Sequence, residues 1–238
     1  MRPTICLALT LSLVLAACGE GKAPSEKLKD AATELVEEAG GETPPKLAEG
    51  PYAPRDECAG LPGADAFRQE LAQAVEARDA EALIALAAPD VKLDFGGGAG
   101  SAQLRARLSG ESPTLWDELD ALLELGCAAE GQSGITIPWY FAQEIDAVDP
   151  MMGMIVTGEN VPLRVAPETD AETLEEVSWD VVELVDGLQP DAPFQHVATV
   201  KDKRGYIATD KLRSLIDYRL LASSRDGKWS ITSLIAGD

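Results

Sequence analysis

The stretch Met154–Gly187, "MIVTGENVPLRVAPETDAETLEEVSWDVVELVDG", alternates apolar and polar residues between short turns. Because successive side chains of a strand point to opposite faces, this alternation predicts half-buried β-strands. Short strands with turn residues at close intervals are typical of a small all-β unit. We therefore assign residues 155–215 to a separate β-domain.

The same residues resemble a bacterial SH3-like domain. "NVPLRVAPETDAETLEEVSWDVVELV" is similar to that family's opening strand, proline-containing loop and hydrophobic strand pair, and "GYIATDKLRS" is similar to its closing strand and short 3₁₀ turn. The resemblance implies an SH3-like β-barrel with a ligand groove between its loops. We expect the groove near four residues: Arg164, Trp179, Phe194 and Tyr206. The alternative for Trp179 and Tyr206 is a place in the barrel core.

Helices and short strands mix ahead of this unit, in residues 64–154. Phe67, Leu71 and Val75 recur at intervals of four, which predicts one face of an amphipathic helix. "VKLDF" predicts a strand, and "SPTLWDELDALLELG" predicts a further helix with a proline in its first turn and a glycine at its end. Without a regular βαβ rhythm, the predicted fold class is α+β.

The last segment, "IDYRLLASSRDGKWSITSLIAGD", predicts two strands around Asp226-Gly227, a favoured hairpin turn. A lone hairpin is marginal in water, so we expect residues 216–238 to complete the domain of residues 64–154. This order of parts is similar to that of bacterial envelope proteins with an SH3-like unit ahead of a terminal hairpin. A further similarity links "FRQELAQAVEARDAEALIALAAPDVKLDF" and the hairpin to the nuclear-transport-factor-like cone fold, which implies an apolar pocket.

The first residues, "MRPTICLALTLSLVLAACGEGK", place Arg2 before an apolar run that ends in small residues, the layout of a secretory signal. Leu15-Ala16-Ala17-Cys18 resembles the bacterial lipobox, which implies cleavage after residue 17 and lipidation of Cys18. An ordinary cleaved signal with a chance cysteine is the alternative. By the same resemblance, Gly19 after the cysteine favours the periplasmic face of the outer membrane over the inner membrane.

Residues 18–63 are rich in proline, glycine and charge, and we predict a flexible acidic tether with one weak helix near Lys27–Glu38. Beyond Cys6 and Cys18, the remaining cysteines are Cys58 and Cys127. In an oxidising compartment this even pair is a candidate disulfide. Two buried free thiols are the alternative, because the sequence alone does not bring them together.

Charge narrows the choice of partners. The chain has 20 basic and 41 acidic residues, for a net charge of −21. The predicted cleavage would also remove Arg2 and make the net charge more negative by one. A strongly acidic protein is repelled by nucleic acid and by anionic lipid surfaces. We therefore predict no nucleic-acid partner and contact with the membrane only through the lipid.

The glycine run in "KLDFGGGAGSAQLRARL" does not predict a phosphate loop. A Walker loop needs a lysine after its last glycine, whereas Gly100 is followed by Ser101. Asp94 beside the run would repel phosphate. The single histidine, His196, has no nucleophile motif near it and is expected to be structural or exposed. We predict no catalytic residues, no metal site and no cofactor.

Two functions remain. The first is a lipid-anchored envelope protein, not an enzyme, whose SH3-like domain binds peptidoglycan peptide or a protein partner. The second is a small-molecule carrier or enzyme that uses a pocket of the α+β domain. We expect such a pocket to be lined by Phe95, Trp116, Trp139 and Tyr140, with Asp94 as its polar group.

Overall fold

The computed structural model describes residues 47–110 and 115–237. This part of the chain has four α-helices: α1 Ala64–Glu76, α2 Ala80–Leu86, α3 Ser101–Leu108 and α4 Leu115–Leu123. Its strands are β1 Ala87–Lys92, β2 Ala128–Glu130, β3 Gly134–Ile137, β4 Gly153–Val156, β5 Val161–Arg164, β6 Thr173–Val177, β7 Val181–Leu184, β8 Phe194–Thr199, β9 Arg204–Ala208, β10 Leu212–Ser214, β11 Arg219–Arg225 and β12 Lys228–Ile235. Two 3₁₀ turns cover Trp139–Ala142 and Thr209–Lys211. Helices and sheets occur together, as the α+β assignment requires.

The first sheet has five strands in the order β1-β12-β11-β3-β2. Its centre is the β11–β12 hairpin, which turns at Asp226 and Gly227 with positive φ angles of 53° and 79°. Both residue types tolerate this conformation, which suits the twist of a two-residue hairpin. The C-terminal hairpin thus pairs with β1 on one side and with β3 on the other, so it belongs to the sheet of the N-terminal half.

Four helices cover one face of the first sheet through a shared apolar core. Phe67, Leu71 and Val75 are buried on one side of α1, at the spacing seen in the sequence. The ring of Phe67 stacks on that of Trp229 in β12, with centroids 6.1 Å apart. The Asp79 side chain caps α2 by accepting hydrogen bonds from the Glu81 and Ala82 amides, at 3.0 Å each. A carboxylate cap of this kind satisfies amides that the first helical turn leaves unpaired.

The glycine run connects β1 to α3 as a structural loop. Asp94 accepts a hydrogen bond of 2.7 Å from the Gly98 amide and forms an ion pair with Arg107. These contacts hold the pKa of Asp94 below its usual range, the Gly98 hydrogen bond contributing most. A carboxylate of the chain itself thus accepts from the Gly98 amide of this loop.

The second sheet has seven strands in the order β10-β4-β7-β8-β9-β5-β6 and carries no α-helix of its own. One face surrounds a small core of Met154, Val156, Val161, Leu163, Val177, Val182, Leu184, Val197 and Ile207. All of them except Val197 and Ile207 lie in the alternating stretch that opened the sequence analysis. β-branched residues dominate because they fit the pleated surface of short, curved strands.

Residues 47–63 are folded, which corrects their assignment to a flexible tether. The Arg55 carbonyl accepts a hydrogen bond from Cys127, and the Cys127 carbonyl accepts one from Glu57, at 2.8 and 2.9 Å. Cys58 and Cys127 form a disulfide with a Cα–Cα distance of 5.8 Å. Proline and glycine content alone pointed to a tether, whereas the crosslink and the backbone pairing hold this segment on the fold. Cys18 and Lys27–Glu38 lie outside the described residues.

Arg213 of β10 links the second sheet to helix α4 through a partly buried cluster of charged side chains. Its guanidinium lies 3.4 Å from the carboxylates of Glu118 in α4 and of Asp217, and it donates to the Tyr218 carbonyl at 3.2 Å. An apolar cluster that includes Leu125, Tyr140, Ile155, Val181 and Leu215 packs nearby. Within the described part, no helix combines the length and apolar character needed to cross a membrane.

Candidate functional site

The outer face of the second sheet carries a row of side chains that crosses several strands. Arg164 of β5 pairs with Tyr206 of β9, and Tyr206 pairs with His196 of β8. Directly paired residues of antiparallel strands point to the same face. Asp186, just beyond β7, continues the line beside His196. We name Arg164, Tyr206, His196 and Asp186 the cross-strand row.

The centre of the cross-strand row is fixed by stacking and by a hydrogen bond. The rings of His196 and Tyr206 stack with centroids 4.9 Å apart and an interplanar angle of 19°. Nδ1 of His196 lies 2.9 Å from a carboxylate oxygen of Asp186. The carboxylate sets the orientation of the imidazole, so the stacked rings present a preorganised surface and lose little freedom on binding.

The ends of the cross-strand row have opposite charge. At one end, Arg164 donates from Nη1 to the Ala171 carbonyl at 2.8 Å, which leaves further guanidinium donors available. At the other end, the Asp186 side chain is 66% exposed. Three strand spacings of about 4.8 Å separate the ends, so they lie about 14 Å apart. Phe194 lies on the same face of β8, two residues from His196.

Trp179 does not join the other three expected groove residues. It has a positive φ of 43°, and its side chain packs beside the apolar cluster of Tyr140 and Ile155. There it lines a cleft of about 420 Å³ together with residues such as Arg213. A left-handed backbone is uncommon at a bulky residue, and the structure thus places Trp179 in this cleft, apart from the other three residues.

The residues expected to line a pocket in the α+β half take different places in the structure, and Tyr140 lines a cleft of about 220 Å³ with Phe141 and Arg219. Trp116 is buried in the helical core and donates to the Leu108 carbonyl at 3.1 Å, whereas Phe95 is 59% exposed. Trp139 donates instead to the Glu57 carboxylate at 2.8 Å. Burial raises the pKa of Tyr140 to about 12, so its phenol stays protonated at neutral pH. The apolar space between helices and sheet is filled by core side chains, because large residues from both layers interdigitate there.

The surroundings of His196 consist of a carboxylate and a phenol ring. Among the described residues, its ring contacts are Asp186 and Tyr206, and no serine, threonine or cysteine side chain hydrogen bonds with it. A histidine–carboxylate pair without a nucleophile is an oriented polar surface rather than a complete triad. The same part of the chain holds no group of three or more histidine, cysteine, aspartate or glutamate side chains placed to bind a metal.

Sequence reasoning missed the pairing of His196 with Asp186 and Tyr206. The pairing depends on strand register, and the sequence carries only one indirect sign of it: His196 and Phe194 fall on the polar side of an alternating strand. Comparison of the chain with protein-family models, curated proteins and solved structures gave no match. The geometry of the site therefore carries the functional interpretation.

Proposed function

We propose that the chain is a lipid-anchored protein of the bacterial envelope that binds peptide through its second sheet. The anchor is supported by the lipobox-like Leu15-Ala16-Ala17-Cys18 after an apolar run. Several acyl chains on one cysteine give a stable membrane attachment, whereas a single chain is marginal. The acidic composition fits a protein held at a membrane by lipid rather than by basic residues.

An SH3-like identity for the second sheet is part of this proposal. It is supported by the strand order, in which β4 lies between β7 and the last strand, β10. The β5–β6 hairpin fills the long connection between β4 and β7, where the resemblance places a proline-containing loop. A 3₁₀ turn, Thr209–Lys211, precedes β10, where the resemblance expects one.

The feature that supports peptide binding most directly is the cross-strand row. Stacked aromatic rings give a large contact area at low entropic cost, and charged groups at both ends add orientation. An extended peptide advances about 3.3 Å per residue, so four or five residues span the row. A peptide with a carboxylate toward Arg164 and an amine toward Asp186 would match both ends.

The stem peptide of peptidoglycan has this chemistry and length. It is short and carries both free carboxylates and an amine, and it lies in the compartment to which the proposed anchor delivers the protein. We therefore take the stem peptide as the ligand. A protein partner that offers an extended acidic and basic segment is the competing outcome of the test.

Co-sedimentation with purified peptidoglycan sacculi tests the proposal. Residues 19–238 are expected to pellet with sacculi at about physiological salt, where screening over about 8 Å limits bulk repulsion between acidic surfaces. Tyr206→Ala removes the ring that stacks on His196 at the centre of the row, and we expect it to weaken binding by about tenfold or more.

Phe95→Ala is the matched control, because it removes an exposed aromatic ring from the loop that follows β1. Circular dichroism and thermal unfolding of each variant establish that it is folded. Pelleting that is equally weakened by both variants, or unchanged by Tyr206→Ala, would contradict binding at the row. If the folded wild-type chain stays in the supernatant, the stem peptide is the wrong ligand.

A further inference from the structure

The first sheet has a concave surface of about 610 Å³ at its β1 edge, lined by β1, by the β11–β12 hairpin and by Ala85 of α2. It opens because β1 follows β12 irregularly: Ala87 pairs with Ile231 and Lys92 with Ser233, so the residues between them bulge away from the ladder. Its lining includes three basic residues, Lys92, Arg225 and Lys228, and the hydroxyl residues Ser223, Ser230 and Thr232. We name this surface the cationic concavity.

The β11–β12 hairpin presents these groups by its register. Ser223 pairs with Ser230, and Arg225 pairs with Lys228, while Trp229, between Lys228 and Ser230, points into the core. Alternation therefore places both serines and both cations on the outer face. Like charges directly opposite on paired strands are destabilising, so Arg225 and Lys228 repel each other unless an anion lies between them.

Charge pairing sets these cations apart within the described residues. Most basic side chains there form ion pairs with carboxylates: Arg68, Arg78, Arg105, Arg107, Lys203, Arg204, Lys211 and Arg213. Lys92, Arg225 and Lys228 form none in that part of the chain, although acidic residues are twice as frequent as basic ones. Lys201, in the turn after β8, also has none, whereas Arg55 and Arg164 donate to backbone carbonyls rather than to carboxylates.

One acidic residue, Asp90, also lines the cationic concavity. Its carboxylate is not within ion-pair distance of the three cations. The lining cations and Asp90 together carry a formal charge of +2, in a chain whose net charge is −21. A positive concave surface concentrates anions locally, whereas the acidic surface of the rest of the molecule repels them.

We propose that the cationic concavity binds a small soluble ligand through a phosphate group. Arginine offers a planar fork of donors to phosphate oxygens, lysine adds a compact charge, and the serine hydroxyls donate further hydrogen bonds. Small residues, including Ala87 and Ala88, line the bulged side and let a ligand approach the backbone. The volume lies in the range of small-molecule sites.

A phosphate group could also belong to a lipid headgroup. The acidic character of the whole chain opposes approach to an anionic bilayer, whereas a small ligand reaches a local positive surface without that long-range cost. For this reason we assign the site to a soluble phosphorylated molecule. The site lies on a different sheet from the cross-strand row, so its test is independent of peptide binding.

Nuclear magnetic resonance titration of ¹⁵N-labelled residues 19–238 with inorganic phosphate, at constant ionic strength, tests the assignment. Saturating shifts are expected at the amides of Ser223, Ser230 and their neighbours. The double variant Arg225→Gln with Lys228→Gln is expected to weaken phosphate binding by about tenfold or more, and Asp90→Asn to strengthen it.

Lys201→Gln with Arg204→Gln is the matched control, because it removes the same charge from the β8–β9 turn. Two outcomes would overturn the proposal: equal weakening of phosphate binding by the two double variants, or amide shifts near all basic residues. Each would mean that phosphate associates with positive charge anywhere on the molecule. Phosphatidylglycerol vesicles form the second arm. Binding to vesicles through Arg225 and Lys228, without any response to soluble phosphate, would overturn the soluble ligand in favour of a headgroup.

Discussion

The two sheets differ in how the chain builds them. The second sheet uses one continuous stretch, from β4 to β10, and closes its small core with its own strands. The first sheet takes β1 to β3 from before that stretch and β11 and β12 from after it, and it needs a helical layer to fill its core. A discontinuous half must close long loops before its contacts form, which costs conformational entropy. The crosslink between Cys58 and Cys127 lies in that half.

Removing the disulfide should have the largest effect on stability. It should destabilise the core of the first sheet more than the core of the second sheet. Cys58 and Cys127 are 69 residues apart, and a loop of that size corresponds to about 4 kcal/mol on the chain-entropy model. We expect Cys58→Ser with Cys127→Ser to lower the free energy of unfolding in urea by that order. Hydrogen exchange should rise most at Leu71 and Leu220 and least at Val197 and Ile207.

Equal loss of protection in both cores would contradict the difference between the sheets. It would mean that the halves unfold as one cooperative unit, in which the crosslink stabilises everything. Reduction of the wild-type disulfide with dithiothreitol provides the control, because it opens the same loop without changing the sequence.

Arg213→Met should have the next largest effect and should test how firmly the halves are joined. The Arg213 side chain is 10% exposed between Glu118 and Asp217, and its loss leaves two carboxylates without their cation. Breaking a buried ion pair in this way costs about 3 kcal/mol. Chemical denaturation measures the loss, and exchange at both cores shows whether it is shared.

Lys211→Met is the control for Arg213→Met. Lys211 pairs with Asp210 at 3.3 Å, but both side chains are largely exposed. An exposed pair contributes less than about 1 kcal/mol, so this variant should unfold nearly as the wild type does. A similar loss for both variants would mean that the junction owes little to Arg213.

Substitution of Glu118 should change the stability least. The pH dependence of stability that Glu118 causes should be opposite in direction to that caused by Asp94 in the glycine loop. Burial raises the pKa of Glu118, with a further contribution from Asp217, while Arg213 opposes the rise. The folded state therefore holds the proton more tightly, and stability falls as pH rises from about 4.5 through the folded pKa. Glu118→Gln should remove this fall in a series of unfolding measurements between pH 4 and about 8.

Asp94 should behave in the opposite way. Its folded pKa lies below the ordinary value, so it contributes stability above about 3.9 that is lost as pH falls through the folded pKa. Asp94→Asn should reduce the dependence of the free energy of unfolding on pH at acid pH, and it should leave that dependence unchanged near neutral pH. Profiles of the same sign for Glu118→Gln and Asp94→Asn would contradict the difference in their surroundings.

Local patterns in the sequence predicted much of the fold. The apolar spacing of Phe67, Leu71 and Val75 identified α1, and Asp226-Gly227 identified the hairpin, because each depends on residues close together in the chain. The cysteine count pointed to the Cys58–Cys127 pair, although spacing alone left free thiols open.

The features that the sequence did not predict depend on register and on distant contacts. Stacking of His196 on Tyr206 follows from the pairing of β8 with β9, and the place of Trp179 follows from a left-handed backbone at the end of a loop. The cationic concavity depends on the bulge in β1, which brings Lys92 near a hairpin more than a hundred residues later. No local periodicity encodes such a meeting.

The folded segment that begins at Leu47 also decides how the molecule would bear mechanical load. A pull on the chain ahead of Leu47 strains in turn the hydrogen bond from the Glu49 amide to the Glu159 carboxylate, the one from the Tyr52 amide to the Trp179 carbonyl, and the pairing of Arg55 with Cys127. At Cys58 the force passes through the disulfide directly to Cys127. The loop of residues 59–126, which contains all four helices, then carries no tension. A protein held at a surface by its N-terminal end would thus keep its helical layer intact while the surface moves.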